Sequence, residues 1–301
     1  MSENVNLETK GNIGSWYDKY YKIILFFPTL IFLLSIVVIW MTYVKTGDFI
    51  YKDISLTGGT TITINGNIDS KNLENRLKEK FSDLVVRSIT DSSTGENIAV
   101  IIESSSEPEV LKEEVQKILG YDLTDENHSL EFSGASLSKN FYWQLVVALV
   151  FSFFLMSFVV FFLFRNFVPS IAVISCALAD LVMSVAFLNF FQIKISAAGI
   201  SAFLMLIGYS VDTDILLTTR VLKRREGSVN QRIFGAFKTG IFMTLTAILA
   251  VVPAFFLPFS LPDAFKQIFL ILGIGLFFDI INTWVTNAGL IKWYTIKKGI
   301  N

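Results

Sequence analysis

Six apolar stretches, each near the ~20 residues a helix needs to cross a bilayer, with one charge-rich island between the first and second, predict a polytopic α-helical membrane protein carrying a small α+β domain. Composition points the same way: 52% of the 301 residues are hydrophobic, 29 are Phe, and the mean hydropathy is +0.56. One soluble core of this length cannot bury that much apolar surface, so the surplus faces lipid.

Residues 1–22 are polar and read as a cytoplasmic N-terminal segment. The run 23–44 is too long for the apolar part of a cleaved signal and is predicted to remain as the first transmembrane helix. Five further spans at 143–164, 168–190, 197–219, 236–258 and 267–291 form a predicted bundle over 141–293, followed by a tail at 294–301. Basic residues set the orientation. Lys10, Lys19 and Lys22 precede the first span, Arg165 follows the second, and Lys223, Arg224, Arg225 and Arg232 fill the loop after the fourth. Lys292, Lys297 and Lys298 end the chain, whereas the alternate loops offer only Lys194 and Lys266. Both termini are therefore expected in the cytoplasm and residues 45–140 outside it.

Within 45–140 the periodicities change from element to element. Thr61-Ile62-Thr63-Ile64 alternates as a strand does, and Leu73, Leu77 and Phe81 recur at helical spacing. Leu84 to Thr90 and Ile98 to Glu103 read as a hairpin closed by the turn Asp91-Ser92-Ser93-Thr94-Gly95. Ser106-Glu107-Pro108-Glu109 matches a capping box, with the Ser106 side chain accepting from the Glu109 amide, ahead of Leu111, Val115, Ile118 and Leu119 on one helical face. His128 to Ser133 closes the set as a strand. The order βαββαβ is that of ferredoxin-like domains, with two helices on one face of a four-stranded antiparallel sheet.

Several function classes are excluded. A net charge of −1 supplies no field for nucleic acid. Cys176 is the only cysteine and His128 the only histidine, which leaves no disulfide framework, metal cluster or Ser-His-Asp triad. Neither GxxxxGK[ST] nor GxGxxG occurs, so no nucleotide cofactor is expected, no catalytic residues are assigned, and any work is powered from elsewhere.

Asp180, Asp212, Asp214 and Asp279 all lie near the middle of their spans. A charged carboxylate there costs roughly 2.5–3.5 kcal/mol on insertion scales, so such groups turn inward and often serve ion pathways; the alternative is a neutral acid acting as helix glue. Asp212 and Asp214, two residues apart, point about 200° from each other on a straight helix. Asp212 shares its stripe with Gly208, where another helix can approach closely; Asp214 shares the more polar stripe of Ser210 and Thr218. Lys238 is the available counter-charge, or else snorkels to water.

Two stretches carry a resemblance to a known family. Leu56-Thr57-Gly58-Gly59-Thr60 is similar to a D-F-x-G-G-T signature after a first span, and Ile207-Gly208-Tyr209-Ser210-Val211-Asp212-Thr213-Asp214 is similar to a G-Y-S-[LV]-N-D-T stretch in a fourth. Arg220 and Lys223 to Glu226 resemble the basic D-R-I-R-E segment that ends that span. With its layout of one span, an exterior domain and five spans, the chain after about residue 20 resembles the SecF family, protein-export membrane subunits related to the resistance-nodulation-division transporters. The resemblance implies a non-enzymatic role in the cell membrane beside SecD and the Sec translocase channel. Its cargo is a translocating polypeptide, its surroundings are lipid, and its energy is a proton gradient.

The departures are specific. Ser55 stands where the signature has Asp, with Asp53 two residues earlier. Thr213 stands at the usual Asp position between Asp212 and Asp214, and Asp212 matches the acid of the sister subunit SecD. An Arg of the fifth span is replaced near Lys238. These differences suggest an archaeal-type member. Asp212 is expected at the SecD contact or a water-filled seam beside it and Asp214 within its own subunit, although shifting the alignment by one residue would assign the relay to Asp214. An intramembrane aspartyl protease and a scaffold without ion coupling are the alternatives.

Overall fold

The computed structural model describes residues 17–81, 83–90, 96–124, 127–224, 226–251 and 263–299. The predicted turn Asp91–Gly95 and residues 252–258 of the predicted fifth span lie outside the described residues. In chain order the elements are α1 (Phe26–Thr46), the single turn α2 (Ile54–Thr57), β1 (Gly59–Asn65), α3 (Ser70–Lys78), β2 (Val85–Thr90) and β3 (Asn97–Ser104). There follow α4 (Pro108–Leu119), β4 (His128–Ser133), α5 (Ala135–Phe164), α6 (Phe167–Phe190), α7 (Ala197–Lys223) and α8 (Val229–Val251). Last come α9 (Asp263–Ile281), a π-helical turn (Asn282–Asn287) and α10 (Ala288–Lys298).

Among the described residues, six helical stretches are long and apolar enough to cross a membrane: Tyr17–Thr46, α5, α6, α7, α8 and Ala264–Lys298. The chain is a multi-pass membrane protein. Inside the bundle α6 and α7 are buried over about half of their apolar length, while α1 and α5 are nearly bare. The outer pair therefore offers its apolar surface to lipid or to partners. α5 starts at Ala135, about two turns before the apolar run at 143, so the helix continues out of the apolar zone to meet the sheet. Its first turns, with Ser136, Ser138, Lys139 and Asn140, are too polar to be read as a span.

The sheet is antiparallel with strand order β2-β3-β1-β4. Ile62 pairs with Ile102 and Ile64 with Val100, so one face of the two central strands is continuous hydrocarbon. Leu73 and Leu77 of α3 and Leu111 and Val115 of α4 cover that face, and all eight side chains are buried. Asp69 caps α3 by accepting from the Lys71 and Asn72 amides at 3.1 and 3.2 Å.

The capping box does not form. Glu107, in extended conformation, precedes the helix, and Pro108 begins it with the fixed φ that suits a first helical position. The Ser106 hydroxyl is held instead by that of Ser104 at 3.0 Å. Arg232, read above as a loop residue, lies in α8 and is buried. Its guanidinium donates to the carbonyls of Val221, at 3.0 Å, and Arg224, closing the end of α7 as a helix C-terminus requires.

The segment before β1 joins the sheet to the bundle. The Asp53 amide donates to Ile195 O at 3.0 Å and the Ile195 amide to Tyr51 O at 2.7 Å, while Leu56 is buried in the bundle core beside Leu188 and Phe203. Ser55 accepts from the Ala197 amide at 3.2 Å, at the foot of α7. Asp53 lies 3.7 Å from Arg87.

Candidate functional site

Three of the four mid-span acids meet in the bundle core. Asp180 on α6, Asp214 on α7 and Asp279 on α9 each have 0% exposure. Small residues bring these helices together. Gly275 of α9 lies against Leu206 of α7, where an added Cβ would stand 2.4 Å from the leucine's methyl carbons, and Gly240 of α8 gives way to Trp284 of the π-turn in the same manner.

Hydroxyls and amides surround the acids. Ser210 donates to Asp180 Oδ2 at 2.5 Å and Asn282 to Asp180 Oδ1 at 2.7 Å. The Thr213 hydroxyl lies 3.0 and 3.3 Å from the two oxygens of Asp279, and Thr283 donates to Asp279 Oδ1 at 3.0 Å. Asn287 donates to Asp214 Oδ1 at 2.7 Å and reaches Thr218 at 3.4 Å. One short segment thus supplies a side-chain donor to every acid: Asn282 to Asp180, Thr283 to Asp279, Asn287 to Asp214.

The π-turn makes this geometry possible. In an α-helix Asn282 and Asn287, five residues apart, would diverge by more than a third of a turn. Bonding from i to i+5 widens the turn and brings residues five apart toward one face, a feature that recurs at functional sites. Sequence analysis did not single out Asn282, Thr283 or Asn287. Two Asn five apart inside an apolar span was the available signal, but α-helical spacing puts them on different faces.

No Lys or Arg makes an ion pair with any of the three acids among the described residues. Lys238, the expected counter-charge, is exposed on α8. Two basic side chains are buried among the described residues: Arg232, which caps α7, and Lys292 of α10, which pairs with Asp18 and lies 4.0 Å from the ring centre of Tyr17. No grouping of three His, Cys, Asp or Glu side chains suits a metal among the described residues.

Asp212 stands apart from the trio. It is exposed on the outer face of α7, with Gly208 also exposed one turn away and Tyr209 46% exposed beside it. Nothing lies within 4 Å of a Cβ built on Gly208. Ser210, from the same motif, points inward to Asp180. The other motif residues are structural: Gly58 (φ +84°) and Gly59 (φ +145°) form the tight passage from α2 into β1, and Thr60 is buried and donates to Ser106 O at 2.6 Å.

Comparison with known proteins agrees with this architecture. The family described as "Protein export membrane protein SecD/SecF, C-terminal" matches residues 113–297. The chain is 38% identical over 284 residues to the protein-export membrane protein SecF of Methanocaldococcus jannaschii, covering 92% of this chain and 96% of the relative. It is 40% identical over 250 residues to SecF of Methanothermobacter thermautotrophicus, covering 81% and 84%. The crystal structure of SecDF, a translocon-associated membrane protein from Thermus thermophilus, superposes with a TM-score of 0.73 at 19% identity over 92% of this chain; the chain spans 38% of that longer protein. With the matched model covering more than half of its length and relatives this similar along nearly all of theirs, the chain belongs to the SecF family of protein-export membrane proteins.

Proposed function

We propose that this protein is an auxiliary subunit of the Sec translocase that acts with SecD and uses a proton gradient to promote protein export. The observation that carries the coupling is the buried trio Asp180, Asp214 and Asp279, set in hydroxyls and amides with no ion-paired cation among the described residues. Burying a carboxylate without a counter-charge is costly, and protons are the simplest compensation. One charge crossing 100 mV releases about 2.3 kcal/mol, enough to shift a two-state arrangement well over tenfold. The role is mechanical rather than enzymatic: each acid is bonded to hydroxyls and amides, not to a second acid as a shared-proton protease dyad requires. In this reading SecD packs on the outer face of α7 around Asp212, and Lys238 snorkels to the cytoplasmic interface.

The soluble domain is read as ferredoxin-like and placed outside the cytoplasm, with both termini inside. The strand order β2-β3-β1-β4, the order βαββαβ and the basic loops support this placement. Vesicles holding the Sec channel, SecD and this chain are expected to export a preprotein faster under an imposed proton gradient, with the stimulation lost when an ionophore collapses it or this chain is left out. Equal rates with and without the gradient would overturn ion coupling and leave a scaffold.

Topology is directly measurable because the native Cys176 is buried at 0% exposure. A cysteine at Glu113, exposed on α4, is expected to react with an impermeant thiol reagent added outside intact cells. One at Glu226, exposed after α7, should react only after lysis. The reverse pattern would invert the orientation.

A further inference from the structure

The three buried acids differ in how completely their oxygens are satisfied. Both oxygens of Asp180 accept, one from Asn282 and one from Ser210; Asp279 Oδ1 accepts from Thr283, and both Asp279 oxygens lie within 3.3 Å of the Thr213 hydroxyl, which also reaches Ser210 O at 2.9 Å. Those donor sets fit ionised carboxylates. Asp214 is different: Oδ1 accepts from Asn287 Nδ2 at 2.7 Å, while Oδ2 is buried without a partner. The amide oxygen of Asn287 is also buried without a partner. The Thr283 hydroxyl is near enough to act on Asp214, but the hydrogen bond its geometry makes is to Asp279 Oδ1, at 3.0 Å.

A carboxylate and an amide oxygen can only accept, so the ionised pair leaves two buried acceptors empty. One hydrogen atom resolves both. On Asp214 Oδ2 it turns that oxygen into a donor and gives the Asn287 oxygen its partner, closing an acid–amide ring of two hydrogen bonds. Exchanging the amide's oxygen and nitrogen changes nothing essential, because an amide oxygen 2.7 Å from a carboxyl oxygen also needs a proton between them. Among the described residues, the ionisable groups facing this site from neighbouring helices are Cys176 and Asp180 of α6 and Asp279 of α9, none of which brings positive charge.

We infer that Asp214 is constitutively protonated and that its acid–amide ring with Asn287 clasps α7 to the π-turn, setting Asp214 apart from the acids that exchange protons with the gradient. The inference rests on the ion-coupled reading only for what it excludes; the protonation holds with or without coupling. Asn287 acts as a positioning residue, holding the turn whose Asn282 and Thr283 serve the other two acids. A neutral acid and an amide nearly match in shape and in donors and acceptors. Asp214→Asn therefore preserves the ring, whereas Asp214→Leu removes it.

The test is infrared spectroscopy of the purified full-length chain in lipid vesicles. A protonated-carboxyl stretch is expected in the native protein and in Asp180→Asn and Asp279→Asn, and is lost in Asp214→Asn while assembly is kept. Asn287→Leu is expected to shift that band as its hydrogen bond is lost, and Asn287→Gln to move it back. The band should keep its amplitude when a proton gradient is imposed. A band unaffected by Asp214→Asn, or one that bleaches under the gradient, overturns the inference. Should the variants fail to fold, the carboxyl carbon shift of Asp214 in native protein, read by solid-state NMR through its contact with the Asn287 side-chain nitrogen, decides instead: a carboxylate value overturns it. A protonated Asp214 in a complex whose export ignores the gradient upholds this inference and removes the coupling alone.

Discussion

Asp212→Asn is expected to lower gradient-driven export by about tenfold or more, within the range of ordinary coupling free energies, while the complex with SecD still assembles. Asp212 lies near the middle of α7 and faces outward, on the stripe that Gly208 leaves open. Left against hydrocarbon, its charge would cost roughly 2.5–3.5 kcal/mol, which is the reason the proposed function puts SecD or water against this face. Asn nearly keeps the volume and hydrogen bonding of Asp but cannot ionise, which separates charge from packing. Export is measured in vesicles under an imposed gradient and assembly by co-purification. Normal export by Asp212→Asn, with loss in Asp214→Asn, would remove Asp212 from the relay, leave the buried trio alone to carry it, and also oppose a permanently protonated Asp214. Gly208→Leu is the companion variant. Among the described residues nothing lies within 4 Å of a Cβ at this position, so the isolated subunit should stay folded while pairing with SecD fails.

Gly58→Ala is expected to destabilise the protein by about 3–5 kcal/mol, combining backbone strain with overpacking. At Gly58, φ is +84° and a Cβ would stand 2.5 Å from Ala135 Cα and 2.7 Å from Ala135 N. At Gly59, φ is +145° and a Cβ would stand 2.5 Å from Ser104 O. Both obstacles are backbone, which no rotamer change can move aside. The two glycines allow β1 to leave α2 while pressed between the start of α5 and the end of β3, so their replacement separates the soluble domain from the bundle. Thermal unfolding in detergent and protease resistance of the domain report the effect. An unchanged melting temperature in Gly58→Ala would show that this close approach is absent in solution.

The local periodicities carried the secondary structure. Alternation in Thr61 to Ile64 placed β1, the four-residue spacing of Leu73 and Leu77 placed α3, and the strand at His128 to Ser133 coincides with β4. Spans were legible because the bilayer imposes one length on every helix that crosses it. Boundaries failed where a helix continued past its apolar part, as at Ala135, or where a polar side chain had a choice of partner, as Ser106 did.

By itself the sequence determined that four carboxylates lie at similar depth, and that Asp212 and Asp214 point apart, since both facts follow from position along a helix. Only the tertiary structure decided which acids meet. Rotation of each helix about its axis is fixed by contacts distant in sequence, such as Leu206 in the notch at Gly275, and Asn282 reaches Asp180 across 102 residues. The same packing left Lys238 outside and made the turn at Asn282–Asn287 π-helical, where it donates to three buried acids at once. Local spacing does not encode that turn, because the acids to which its Asn282 and Asn287 donate are brought within reach only by helices distant in sequence.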